Sequence, residues 1–155
     1  MKKLSALFLS IVLLLTLCAC GKKDGDSTSS VASDSTAFVK PTSYSAVLSM
    51  KINPQFKIYL DSGNYVLALE ALNKDATTVK QSMKASVADI KSVTKSILTA
   101  AKKEGFLKEN IEIDLEITEL NNTELNEADI LKEAATAVES AASGLGITVS
   151  VNTHK

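Results

Sequence analysis

The sequence predicts a two-layer α+β domain, in which two main helices cover one face of a mainly antiparallel sheet of about five strands. Three observations predict this class. Residues 46–72 alternate apolar and polar side chains around turn residues, and residues 86–105 carry apolar side chains at helical spacing. Residues 111–151 then read as strand, helix and strand. The 155 residues suffice for one such domain and an N-terminal extension.

Three strands are predicted at the start of the domain. The first begins near Ala46 and ends before Pro54, which has no backbone N–H for a ladder. Two further strands, over residues 56–60 and 65–72, flank the turn-forming sequence Asp61-Ser62-Gly63-Asn64, so residues 55–72 are expected to form a hairpin. The core-facing side chains are predicted to be those of Ala46, Leu48, Met50, Ile52, Phe56, Ile58 and Leu60.

Two helical segments are predicted in the middle of the domain. The first is short and spans residues 77–85. The second begins at Ser86, because Ser86 and Asp89 have the spacing of a capping box, and it ends at Gly105 after a lysine-rich turn. Its side chains expected to pack on the sheet are those of Val87, Ile90, Val93, Ile97 and Ala101.

The last three elements are a strand, a helix and a strand. Residues 111–117 alternate isoleucine or leucine with Glu or Asp, which predicts a half-exposed strand. A helix is predicted from Thr123 to about Ser143 and closed by Gly144 or Gly146, and Ile147, Val149 and Val151 form the final strand. The helix side chains expected to face the core are those of Ile130, Leu131, Ala134, Val138 and Ala141.

The first 20 residues have the composition of an export signal. Lys2 and Lys3 precede an apolar run from Leu4 to Leu17, which is shorter than the roughly 20 residues a spanning helix needs. The following Cys18-Ala19-Cys20, with Leu17 at position −3, resembles the lipobox of bacterial lipoproteins. This resemblance implies a signal peptide over residues 1–19 and a fatty-acyl anchor, with palmitate among the acyl chains, on Cys20.

Residues 20–40 are predicted to be a flexible tether ahead of the domain at residues 41–155. The stretch GKKDGDSTSSVASDST is rich in Ser and Asp and has almost nothing apolar to bury. Such a tether would hold the domain roughly 20 to 25 Å from the membrane. The expected location is therefore the outer face of the cytoplasmic membrane of a bacterium, with the lipid as the membrane contact.

Charge and residue types exclude several function classes. The formal net charge is −1 and falls to −3 when the signal takes Lys2 and Lys3 with it, so nucleic acid is not an expected partner. No cofactor or metal is expected. His154 is the sole histidine, and the acids Glu112, Asp114 and Glu116 are expected to line a solvated strand face rather than a calcium loop. The chain is therefore not expected to be an enzyme acting on external substrates.

Asn53-Pro54 is the remaining candidate for chemistry. In the simpler interpretation Pro54 ends a strand ladder. In the other, the Asn53 side-chain amide attacks its own backbone carbonyl carbon, forms a succinimide and expels the Pro54 nitrogen. Strain at this bond would lower the barrier to that reaction.

Residues 44–118 resemble the middle domain of RsgI-type anti-sigma factors. The resemblance is carried by a strand ending in Asn53-Pro54, a hairpin, the segment Leu72-Asn73-Lys74-Asp75 and a helix followed by Gly105-Phe106-Leu107. It implies an extracytoplasmic, SEA-like α/β module. In some members the Asn-Pro bond breaks by autoproteolysis while the two halves stay associated.

Together these features predict a lipid-anchored interaction or signalling module, in which Asn53-Pro54 is either a plain strand end or a self-cleaving bond. Because lipidation leaves the whole mature chain outside the membrane, the protein is not expected to bind a sigma factor itself. The alternative is a passive cell-surface lipoprotein that recognises a wall component or a protein partner through the outer sheet face near Tyr59.

Overall fold

The computed structural model describes residues 38–154, which form five strands and three helices. The strands are β1 (Ala46–Lys51), β2 (Gln55–Leu60), β3 (Val66–Ala71), β4 (Ile111–Leu120) and β5 (Val149–His154). The helices are α1 (Lys74–Ser82), α2 (Ile90–Lys103) and α3 (Glu127–Gly144). The predicted α+β class is confirmed. The predicted signal peptide, Cys20 and the tether up to residue 37 lie outside the described residues.

The sheet is open and mixed, with the strand order β3-β2-β1-β4-β5. All neighbouring strands are antiparallel except β4 and β5, which are parallel because α3 crosses over between them. The predicted hairpin is confirmed as β2 and β3. The first strand of the domain therefore lies at the centre of the sheet, hydrogen-bonded to β2 on one side and to β4 on the other.

The central strand β1 is covered on both faces. Its inward side chains are buried as predicted, but the outward Val47 and Ser49 are only 0% and 3% exposed. The alternating pattern of residues 46–52, which predicts a strand with one exposed face, is therefore wrong about the burial of β1. Val47 lies beside Tyr59 in the sheet register, and the residues before β1 pack over Tyr59 on this outer face.

The N-terminal ends of the first two helices differ from the prediction. Helix α1 begins at Lys74 instead of residue 77, because the Asn73 side chain accepts a hydrogen bond of 2.8 Å from the Ala76 N–H. Helix α2 begins at Ile90, because its N-cap is Asp89 and not Ser86. Val87 consequently precedes the helix and is 53% exposed, so its predicted place in the core is wrong.

Helix α3 starts later than predicted and its end is confirmed. Asn126 is the N-cap, and its side chain accepts from the Ala128 N–H at 2.9 Å, whereas the prediction started the helix at Thr123. After the helix, Gly146 has a φ of +66°, and after α2 Gly105 has a φ of +80°, the left-handed values that favour glycine at helix ends.

One core lies between the helices and the inner sheet face. It contains the predicted side chains of β1 and β2 and, from the helices, Ile90, Val93, Ile97, Ala101, Ile130, Leu131, Ala134, Val138 and Ala141. Within residues 38–154, no helix is both long and apolar enough to cross a bilayer.

Candidate functional site

Asn53 and Pro54 form the tip of the β1–β2 hairpin. Lys51 pairs with Gln55, and the three residues between them close the turn with a hydrogen bond of 2.8 Å from the Ile52 N–H to the Pro54 carbonyl. Asn53 has a φ of +57°, in the left-handed region that Asn tolerates better than other residues with a side chain. Asn53-Pro54 therefore lies where the β1–β2 ladder ends, in a turn with a constrained backbone.

The backbone at Asn53 is strained by its neighbour. A following proline disfavours helical backbone angles and pushes the preceding residue towards an extended conformation with negative φ, whereas Asn53 is left-handed. Such conformations cost of order 1–3 kcal/mol and persist only when the surroundings impose them. Here the flanking Ile52 and Pro54 are both buried, which fixes the turn on either side of the exposed Asn53.

The Asn53 side chain is available for reaction. It is exposed, and within the described part of the chain it makes no side-chain hydrogen bond, so its amide nitrogen is not held by a protein acceptor. Pro54 has no N–H and therefore donates nothing to the ladder. The Asn53 side-chain amide therefore lies beside a strained backbone, and no described protein group accepts from it.

The chain that precedes this bond is held on both sides. Each residue of β1 has a partner in β2, from Ala46 with Leu60 to Lys51 with Gln55. Each also has a partner in β4, from Ala46 with Leu120 to Lys51 with Asp114. A break after Asn53 would leave β1 inserted between two strands.

Residues 38–44, here called the N-terminal strap, cross the outer face of the sheet at the start of β1. The Phe38 ring stacks on Tyr59 with 5.5 Å between centroids, and the Tyr44 ring meets Tyr59 edge-on at 5.2 Å. Phe38 and Lys40 fall within the predicted tether, so contacts with the sheet begin before residue 41. The aromatic residues Phe38 and Tyr44, on either side of Pro41, are the sequence signal that could have revealed this segment.

Polar contacts fasten the strap. Lys40 Nζ lies 3.3 Å from Glu119 Oε2 and 4.7 Å from the centre of the Tyr44 ring, and the Tyr44 hydroxyl donates to the same Glu119 carboxylate. That hydrogen bond, helped by Lys40, holds the pKa of Glu119 below its ordinary value. Burial raises the pKa of Tyr59 to about 12, and the bond of 2.8 Å that its hydroxyl donates to Glu70 adds to this.

The strap removes Tyr59 from the surface. Tyr59 is only 2% exposed, so a partner cannot contact its ring while residues 38–44 are in place. The prediction of a docking surface near Tyr59 is therefore wrong for Tyr59 itself. The reason is that the aromatic side chain is used inside the domain, under Phe38 and Tyr44.

The acidic row on β4 is engaged by neighbouring strands. Asn152 donates to Glu112 and to Asp114, and the sole histidine, His154, lies with Nε2 3.2 Å from Asp114 Oδ1. These hydrogen bonds, that of Asn152 first, lower the pKa of Asp114. Lys51 Nζ lies 3.1 Å from Glu116. No cluster of three potential metal ligands exists among residues 38–154, and the contact of His154 with Asp114 was missed because parallel pairing of β5 was not predicted.

The fold and the site together define a class of small α+β domain, in which the first strand lies at the sheet centre and ends in a constrained Asn-Pro turn. Residues 45–155 match the anti-sigma factor RsgI-like central domain. Because the match covers well over half of the chain, the protein belongs to this family, as the motif order around Asn53-Pro54 predicted. A search of curated proteins found no match.

Proposed function

We propose that this protein is a lipid-anchored, SEA-like signalling module on the outer face of the bacterial cytoplasmic membrane, and that it cleaves itself at Asn53-Pro54. The regulatory role is supported by its membership of a family named for anti-sigma factors. The anchor is supported by the lipobox-like sequence ending in Cys20. The cleavage is supported by the free Asn53 amide and the strained backbone beside Pro54.

The cleavage step needs no partner molecule. Asn53 Nδ2 attacks the backbone carbonyl carbon of Asn53, so a new C–N bond closes a succinimide ring and the bond from that carbon to the Pro54 nitrogen breaks. The proton lost by Nδ2 goes to the Pro54 nitrogen, which leaves as a free amine. Ground-state strain of about 1–3 kcal/mol, if relieved in the transition state, accelerates this step by about 5- to 150-fold.

After cleavage the two pieces remain one folded domain. The N-terminal piece ends at Asn53 and keeps the two β1 ladders and the strap contacts with Tyr59. A pull along β1 loads the hydrogen bonds of both ladders together, so the association resists force until β1 slides out. We propose that this release is the signal, with the lipid holding the short piece and residues 54–155 leaving.

The intact masses of residues 36–155, which form one compact unit, test the cleavage. The expected result is two chains under denaturing conditions, residues 36–53 and 54–155, that elute together under native conditions. Asn53→Asp is the sharpest variant, because Asp keeps the size and the tolerance for a left-handed backbone but has no amide nitrogen. Asn64→Ala is the matched control, since Asn64 is also left-handed with a φ of +59°.

A single uncut mass for the parent chain, unchanged in Asn53→Asp, would sink the cleavage proposal. Cleavage that survives in Asn53→Asp at neutral pH would instead exclude the succinimide route. Equal loss in Asn64→Ala would show that fold disruption, and not the Asn53 amide, is responsible.

The anchor is tested in cells with a palmitate label. Cys20→Ala should lose the label and leave the membrane fraction, whereas Cys18→Ala should keep both, because residue 18 departs with the signal peptide. Labelled Cys20→Ala protein would overturn the assignment. We also propose that the domain has no activity on external substrates.

A further inference from the structure

A groove of about 480 Å³ runs along helix α2, beside the segment that connects α1 to α2. Most of its exposed lining surface is carbon, but every lining residue except Ala85 and Ala100 carries a hydroxyl or an ammonium group: Ser82, Lys84, Ala85, Ser92, Lys95, Ser96, Thr99, Ala100 and Lys103. The groove lies on the helical layer, away from the strap and from the Asn53-Pro54 turn. Nothing in the proposed cleavage uses it.

The fold concentrates positive charge here although the whole chain is slightly acidic. Helix α2 carries four lysines and neither Asp nor Glu, and Lys84 adds a charge from the opposite wall. The acids gather elsewhere, on β4 and α3: Glu112, Asp114, Glu116, Glu119, Glu127, Asp129, Glu133 and Glu139. A net charge near zero therefore hides a basic surface.

The lysines in the middle of the groove are not neutralised. Among the described residues, Lys84 and Lys95 are exposed and make no ion pair. Two acids contact lining residues: Glu104 accepts from Ser82 and lies 3.8 Å from Lys103, and Asp89 accepts from Ser92.

Hydroxyl groups add donors between these lysines. The Ser96 oxygen accepts from the Ala85 N–H at 3.3 Å, which leaves its O–H proton free for a ligand, and Thr99 is exposed beside it. Ammonium and hydroxyl groups in one groove match the oxygens of phosphate groups.

We propose that this groove binds a linear phosphodiester polyanion, a polyol phosphate polymer of the cell envelope. From Ser92 to Lys103 the helix extends about 16 Å at 1.5 Å per residue, which accommodates several successive phosphates. The chain has no arginine, so bidentate capture of one phosphate is absent and affinity comes from repeated point charges. The proposal rests on the proposed location outside the cytoplasm, which removes nucleic acid as an occupant.

Binding of short poly(glycerol phosphate) to residues 36–155, followed by amide chemical shifts, tests the proposal. The expected shifts are saturable and confined to residues 82–85 and α2. Affinity should fall by about tenfold or more between 50 and 200 mM salt, since displaced counterions drive the binding. Inorganic phosphate should bind far more weakly, because it offers one charge instead of a row.

Two matched double variants separate the groove from net charge. Lys84→Glu with Lys95→Glu should weaken binding by about tenfold or more, whereas Lys74→Glu with Lys108→Glu, the same charge change at exposed sites outside the groove, should change it by about twofold at most. Equal losses in both variants, or no binding of the polymer, would overturn the proposal.

Vesicles containing phosphatidylglycerol are the competing probe. If the groove variant loses vesicle binding while the polymer does not bind, the occupant is the membrane surface and the polymer proposal is wrong. These measurements use purified protein, so their failure would leave the palmitate and mass experiments unaffected. If the parent chain carried no palmitate label in cells while the purified domain still bound the polymer, only the proposed location would be contradicted.

Discussion

The two turns that flank β2 each contain an asparagine with a left-handed φ, and the side-chain surroundings of these two asparagines differ. Asn53, between β1 and β2, has a φ of +57°, and Asn64, between β2 and β3, has a φ of +59°. At the second turn Asp61 Oδ1 accepts from the N–H groups of Gly63 and Tyr65, at 2.8 and 2.9 Å. At the first turn, one backbone bond between Ile52 and Pro54 closes the loop.

The two asparagine amides also differ. Asn64 Nδ2 donates to Glu133 Oε2 at 2.7 Å, which ties the turn to helix α3, whereas the Asn53 amide has no protein acceptor among residues 38–154. The comparison teaches that a left-handed Asn is needed for the chain path at both turns. Only at Asn53 does the side chain remain free for another task.

The largest expected effects are at the second turn, at Asp61 and Asn64. Asp61→Ala removes the acceptor of two backbone N–H groups, so the free energy of unfolding should fall by about 2 kcal/mol. Urea unfolding of residues 36–155 measures it, with Asn53→Asp as the background so that the chain stays in one piece. A loss below about 0.5 kcal/mol would mean that water replaces Asp61 without cost.

The second prediction compares the contributions of Asn53 and Asn64 to the free energy of unfolding. Ala is disfavoured in the left-handed region by about 1–2 kcal/mol, so Asn53→Ala, and Asn64→Ala made on the Asn53→Asp background, should both be less stable than Asn53→Asp. Each of these chains stays in one piece. Asn64→Ala should cost about 1 kcal/mol more, because it also loses the contact with Glu133. Equal losses by urea unfolding would break the comparison, since the Asn53 amide would then have a structural contact.

A smaller effect is expected when Asn53 is replaced by residues that accept the conformation. Asn53→Gly and Asn53→Asp should differ by less than about 0.5 kcal/mol in unfolding free energy, because Gly and Asp both adopt positive φ. Both should remain uncut by intact mass. If Asn53→Gly were much more stable than Asn53→Asp, the strain at Pro54 would exceed the value assumed above.

The smallest expected effect is a loss of local stability in acid, and it is expected near the second turn but not near the first. Tyr65 forms a backbone bridge with Asp89. The hydrogen bonds that the Asp89 carboxylate accepts from the Ser92 hydroxyl and N–H lower the pKa of Asp89 below 3.8. A lowered folded-state pKa contributes stability at pH values above 3.8 that is lost as the pH falls through the folded-state pKa. The protection of the Ser92 amide against exchange, relative to its intrinsic rate at the same pH, should therefore fall in acid, and Asp89→Asn should remove that response. An equal fall in protection at Ile52 would contradict it.

Much of this fold follows from local sequence patterns. Alternation predicted the strands and the hairpin around Asp61 to Asn64, and Gly105 predicted the end of α2. Helix starts were less accurate, because several Ser, Thr, Asn and Asp residues compete as N-caps and only tertiary contacts select Asp89 over Ser86. Pairing between distant strands, such as parallel β4 and β5, has no local signature.

The candidate site also has a part that the sequence predicted and a part that it did not. Asn53-Pro54 was identified from chemistry alone, since few dipeptides offer an internal nucleophile and a strained bond. The burial of Tyr59 was not foreseen, because Phe38 belonged by composition to the tether and its contact spans 21 positions of sequence. The basic groove escaped detection because net charge does not reveal how a fold separates its lysines from its acids.

The central position of β1 also has a consequence for how the chain folds. One side of β1 is satisfied by β2 a few residues later, but its other side waits for β4, more than 60 residues further along. Until β4 arrives, the segment Ala46–Lys51 presents an unpaired apolar edge, which is a template for aggregation. Truncations that end before residue 111 should therefore precipitate, and folding should be paced by closure of this long-range pair.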